Sequence, residues 1–137
     1  MQEDIWENNY KMKDAASIIL FDRNKKILLQ LRTKDAPVSP SKWGFFGGSV
    51  EENETPLEAV KRECYEELEY DLKKPLLILE MKRTNRIAYV FAEKYDFSKK
   101  LNLKEGEAMK WFSVEEAKKL DSPNLVKEVL KKLTLKT

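Results

Sequence analysis

The chain has 137 residues, enough for one domain with a substantial core, and 42% apolar with 36% charged residues describes a soluble globular protein. Basic and acidic residues nearly cancel, 26 against 24 for a formal charge of +2, which gives no general case for binding nucleic acid. With no histidine and one cysteine, the sequence excludes Ser-His-Asp and Cys-His catalysis, histidine zinc sites, a histidine general base and an intramolecular disulfide.

The segment Met1 to Lys13 is polar and acidic, without the apolar core of a signal peptide. Nowhere is there an apolar run of the roughly 18 residues that a membrane span needs. Together these features point to the cytoplasm and to no membrane partner. Trp6 and Tyr10 lie in this segment and are open to three readings: a base stack, a contact with the domain, or a dimer contact.

Asp14 to Arg32 reads as a β-hairpin, with strands in Ser17–Phe21 and Lys26–Leu31 joined by the polar turn Asp22-Arg23-Asn24-Lys25. Thr33 to Lys42 is a polar, proline-containing loop, and Trp43 to Phe46 is a short aromatic strand that runs into Gly47-Gly48. Thr55 then opens a helix as N-cap, with Pro56 at the first helical position and Glu58 closing a capping box. That helix is expected to reach about Glu69. Strands follow in Leu76–Met81 and Ile87–Phe97, as antiparallel neighbours, and in Ala108–Phe112. Ser113 and Glu116 form a second capping box for a helix to Leu120, and Ser122-Pro123 starts a terminal helix with Leu125, Val129, Leu130 and Leu133 as its buried stripe. The lysines between Lys127 and Lys136 read as that helix's solvated face. No repeat or linker divides the chain, so residues 1–137 are expected to form a single α/β (α+β) domain, a mixed β-sheet sandwiched between helices.

The chemistry concentrates in Gly48 to Tyr70, GSVEENETPLEAVKRECYEELEY. At ~100° per residue, Glu63, Glu66 and Glu67 project at about 0°, −60° and +40° and share one helix face. Leu57, Val60, Cys64 and Leu68 cluster in an adjacent direction and are assigned to the core, Cys64 as a small apolar residue rather than a reactive thiol. Three like charges within one turn repel unless a cation sits among them. Magnesium or manganese suits oxygen ligands, and magnesium commonly completes its shell with water and substrate phosphate.

This segment closely resembles the Nudix box of the MutT-like pyrophosphohydrolases. That pattern is a glycine, five residues, a glutamate, seven residues, then Arg-Glu-apolar-any-Glu-Glu-any-Gly-apolar. Here Gly48, Glu54 and Arg62-Glu63-Cys64-Tyr65-Glu66-Glu67-Leu68-Glu69-Tyr70 stand at those spacings. Trp43-Gly44-Phe45-Phe46-Gly47-Gly48 looks like the usual lead-in, and the order of elements resembles the family's over residues 14–135. Glu69 departs from the pattern by replacing the glycine that ends the helix, which costs about 1 kcal/mol or lets the helix run on.

The resemblance implies a Nudix fold and metal-dependent hydrolysis of a pyrophosphate bond in a small nucleotide, a nucleoside triphosphate or a nucleotide sugar. It implies that Glu63, Glu66 and Glu67 bind Mg2+ or Mn2+ with the carbonyl of Gly47, while Arg62 and Glu54 orient those ligands. The general base varies among members; with no histidine available a carboxylate is expected, Glu105 first and Glu107 second. Arg32, Gly48 and Trp43 are the candidates to face substrate, although Trp43, like Phe46, also reads as a core aromatic. Dimers are frequent in the family, so a homodimer is one candidate assembly. Two rivals share the fold: a nucleotide sensor without turnover, which would be expected to lose some of these charged residues, and an isoprenoid isomerase, which needs a cysteine at the site where Cys64 faces the core.

Overall fold

The structure, a computed structural model, describes residues 12–133, so Trp6, Tyr10 and the last lysine of the basic stretch lie outside the described residues. Strand β1 (Ala15–Phe21) is the centre of the sheet because consecutive apolar side chains in it can be buried on both faces. Ile18 and Leu20 enter one core cluster while Ile19 enters the other. In β2 (Ile27–Leu31), Leu28 points to the first cluster and Ile27 and Leu29 to the second.

The chain continues through β3 (Trp43–Gly44), β4 (Phe46–Ser49), helix α1 (Pro56–Leu68), β5 (Leu76–Lys82), β6 (Ile87–Lys94), β7 (Ala108–Phe112), helix α2 (Val114–Ala117) and helix α3 (Asn124–Lys132). The sheet is mixed, in the order β3-β2-β1-β6-β5, with β4 joined to β1 and β7 to β2. Strand β1 runs parallel to β6 over the whole of its length, from Ala15 opposite Ala88 to Phe21 opposite Lys94. Helix α1 covers one face, burying Ala59, Val60, Cys64 and Leu68 at 0% exposure. Helices α2 and α3 cover the other through Ala117, Val126, Val129 and Leu130. The expected mixed sheet between helices is therefore the observed architecture. Among the described residues, no helix is long and apolar enough to cross a membrane.

Several local expectations shift. The first hairpin closes at Phe21 opposite Ile27 and then diverges, because β4 takes the edge of β1 from Ala15 to Ile18. The aromatic strand is interrupted at Phe45. Strand β6 stops at Lys94, short of Phe97, and α2 is one turn ending at Ala117 rather than Leu120. In α3, Val126 is buried where Leu125 and Leu133 are only partly so. Leu57 is 41% exposed: it shares the core direction of its helix but stands in the first turn, and burial begins at Ala59.

Candidate active site

Position in α1 is set by its first turn. The Thr55 hydroxyl accepts from the Glu58 N–H at 3.1 Å, and the Glu58 carboxylate accepts from the Thr55 N–H at 2.8 Å. With the start fixed and Val60, Cys64 and Leu68 buried against the sheet, Glu63 and Glu67 are left half-buried beside β4, and Glu66 projects into solvent. The Glu67 carboxylate accepts the Gly47 N–H at 3.0 Å, which ties the last turn of the helix to β4. At Gly48, next along, a Cβ would stand 2.4 Å from the Glu63 carboxylate, so a side chain there would displace that flexible end.

Arg62 gathers the remaining carboxylates. Its Nε and Nη2 grip both oxygens of Glu54, at 2.6 and 3.0 Å, in the two-pronged geometry that favours arginine over lysine. Nη2 also donates to the Ser49 carbonyl at 3.0 Å, and Nη1 reaches Glu63 at 3.1 Å and Glu66 at 3.3 Å. One guanidinium thus links the loop before the helix, the end of β4 and two glutamates of the helix. Its grip, followed by the Glu51 N–H, holds the Glu54 carboxyl down at about 2.

The other carboxyls are pushed the opposite way. Burial raises Glu67 to about 8; the Gly47 hydrogen bond opposes this, and the charges of Glu63 and Glu105 add to it. Glu63 is also raised, again first by burial, with Arg62 opposing and Glu66 and Glu105 adding. A carboxylate pair that repels itself in a partly dry site is one that a bound cation would relieve. Among the described residues, however, no three acidic or thiol side chains converge on a metal-sized point. Glu66 leans toward Arg62 and is 58% exposed, leaving Glu63 and Glu67 as the inner pair. Two carboxylates supply hard oxygen donors for an ion that commonly takes its other ligands from water and phosphate, so this donor set fits magnesium.

The flanking candidates separate. Glu105 and Glu107 are both exposed; the charge of Glu105 acts on both inner glutamates, whereas Glu107 is fixed through its backbone, its N–H donating to the Leu31 carbonyl at 2.8 Å. Arg32 acts on Glu67, and its Nε donates to the Val38 carbonyl at 2.7 Å, bracing the loop after β2. Trp43 is not brought to the carboxylates. Its ring packs edge-on against Phe112, centroids 5.0 Å apart, in the cluster beneath α2 and α3. Phe46 is a core residue under α1, and Cys64 is fully buried there, its thiol pushed up to about 12 by burial.

Three contributors escaped the reading of the sequence: the Gly47 N–H, the Ser49 carbonyl and the segment around Asn102 and Lys104. The first two are backbone groups, which carry no residue signal. The third touches the helix end without any motif, through Asn102 N–H to the Leu68 carbonyl at 3.0 Å and Lys104 N–H to the Glu67 carbonyl at 2.9 Å. Helix α1 stops at Leu68, with Glu69 left-handed at φ 56°, ψ 35°. The helix therefore ends where glycine would end it, at a strain of about 1–2 kcal/mol for a residue bearing a Cβ.

The NUDIX domain pattern matches residues 11–133. The chain belongs to the Nudix family. Members of this family generally use divalent metal ions. Solved structures share the fold over most of the chain despite distant sequences. The MutT protein of Methanosarcina mazei superimposes with a TM-score of 0.75 at 20% identity, over 90% of this chain and 94% of that one. The ORF135 protein of E. coli does so at 0.67 and 30%, over 90% and 89%. The E. coli dihydroneopterin triphosphate pyrophosphohydrolase gives 0.72 and 19%, over 90% and 96%. No curated protein sequence matches this Nudix chain.

Proposed function

We propose that this Nudix protein hydrolyses a pyrophosphate bond in a nucleoside diphosphate linked to another moiety, either a nucleoside triphosphate or a nucleotide sugar. The products are a nucleoside monophosphate and pyrophosphate or a phosphorylated partner. One observation carries the reading: Arg62 braces Glu54, Glu63 and Glu66 together while Gly47 holds Glu67, so the acidic helix face is organised and not merely solvated.

Glu63, Glu66 and Glu67, with the Gly47 carbonyl, would hold Mg2+ or Mn2+, and Glu66 would join by leaving Arg62. Such an ion supplies charge neutralisation at the phosphoryl oxygens and acidifies the attacking water. The chain's own residues do the rest. Arg62 and Glu54 keep the ligands in place. Glu105, acting on the inner pair from the far loop, takes the proton as water oxygen bonds to one phosphorus. The bridging P–O bond breaks and its electron pair leaves with the second phosphate. Arg32 stands at the rim, a cation for the substrate's phosphate or base. The same reading keeps the enzyme in the cytoplasm, acting on small nucleotides and on neither nucleic acid nor membrane.

The test is product release from a panel of nucleoside triphosphates, dinucleotides and nucleotide sugars, with magnesium, manganese or EDTA. Dihydroneopterin triphosphate joins the panel because it names the activity of one structural neighbour. Metal-dependent turnover of one class is expected, with Glu105→Gln slower by about 10²–10⁴-fold, the usual weight of a general base. Tight nucleotide binding without turnover on any member would replace this reading with that of a sensor.

A further inference from the structure

The loop that carries Glu105 is clamped on both sides. On the helix side, the N–H groups of Asn102 and Lys104 donate to the carbonyls of Leu68 and Glu67 at 3.0 and 2.9 Å. Those carbonyls belong to the last turn of α1, which has no helical donors of its own for them. On the sheet side, the Glu107 N–H donates to the Leu31 carbonyl at 2.8 Å. Gly106, at φ 86°, lies so near Gln30 that a Cβ would stand 2.6 Å from the amide oxygen. Between the two clamps lie Glu105 and Gly106, so Glu105 is the one side chain carried there.

Glu69 reinforces the helix side. Its Oε1 accepts from Asn102 Nδ2 at 3.0 Å and faces Lys104 Nζ at 3.6 Å. A glycine here would end the helix without strain but would offer nothing to Asn102 or Lys104. The ion pair is largely solvated, with Glu69 40% and Lys104 49% exposed, so its contribution to stability is small. What the side chain does supply is direction: it binds the residue three positions before Glu105 and the residue immediately before it.

We propose that Glu69, with Asn102 and Lys104, is a positioning set that fixes the Glu105 loop onto the metal-binding helix. The residue at the glycine place of the Nudix box thereby sets how far the base reaches. This rests on Glu105 being the general base.

The test measures kcat, KM and thermal midpoint for Glu69→Gly, Glu69→Gln, Asn102→Ala, Glu105→Gln and the double variant Glu69→Gly with Glu105→Gln. Glu69→Gly should melt at or above the wild-type temperature, since glycine relieves the left-handed backbone. Its kcat should nevertheless fall about tenfold, the lower end for an orienting partner, with KM unchanged within about twofold. Asn102→Ala should fall similarly, and Glu69→Gln, which keeps the acceptor for Asn102, should recover most of the rate. In the Glu105→Gln background, Glu69→Gly should cost nothing more. Wild-type kcat in both Glu69→Gly and Asn102→Ala, with Glu105→Gln slow, would overturn the positioning role alone. An additive loss in the double variant would do the same. Undiminished kcat in Glu105→Gln would instead overturn the general-base reading.

Discussion

Beneath α2 and α3, Ile19, Ile27, Leu29 and Val90 of the sheet pack with Val126, Val129 and Leu130, and the half-buried carboxylate of α3, Glu128, is paired with Arg83 at 2.9 Å. Beneath α1, Val60, Cys64, Leu68 and Phe46 pack as tightly, yet the same helix keeps Glu63 and Glu67 half-buried at the margin of that core. It also ends in a left-handed glutamate. One face follows the ordinary rules of packing; the other departs from them in burial, charge and backbone. Such departures cost stability and persist where function depends on them. Changes on the α3 face should therefore cost stability and leave turnover alone, and changes on the α1 margin should cost turnover without costing stability.

The largest effect is expected from Leu130→Ala, which empties a fully buried site under α3. Denaturant melts should register a loss of about 2–5 kcal/mol, with kcat per folded molecule unchanged. A loss of specific activity in the folded fraction would break the division between the faces. Next comes Arg62→Lys, which keeps the charge but cannot reproduce the fork on Glu54. Metal affinity or activity should drop by about 10–100-fold, read by titrating metal against turnover. A drop confined to the melting temperature would make the arginine merely structural.

A further effect is a pH slope. In metal-free protein, Glu67 is raised from its ordinary value to about 8 by burial, so the folded state holds its proton where the unfolded state has released it. Stability should then decline as pH rises from the ordinary carboxyl range through about 8, and level off above it. Glu54, held at about 2, contributes stability that is lost as pH falls from the ordinary carboxyl range toward 2, below this window. Thermal melts in EDTA check the slope, and saturating magnesium should flatten it.

Much of this organisation is written locally. Thr55, Pro56 and Glu58 mark the start of α1 through contacts three residues apart, and period then places Glu63 and Glu67 on one face. The order of strands and their alternating cores follow from apolar runs such as Ser17–Phe21. What periodicity misses is where an element ends or what lies opposite it. Leu57 has the core direction but no core above the first turn, and Trp43 joins Phe112 because β2 carries β3 and β7 on its two edges. The two-pronged grip of Arg62 was legible as an expectation. The strapping of Asn102 and Lys104 to the helix end was not, because backbone donors leave no trace in residue type.

The most direct test of the division between the faces is a single variant, Glu67→Gln, measured twice. With magnesium present and the best substrate of the panel, kcat should fall by about 10²–10³-fold, the scale of losing one preorganised group at a charged transition state. In EDTA above pH 8, the same variant should melt higher than wild type, because a buried charge has been removed. Undiminished turnover, or a lower metal-free melting temperature, would contradict the claim that this helix face gives up stability to hold the catalytic ion.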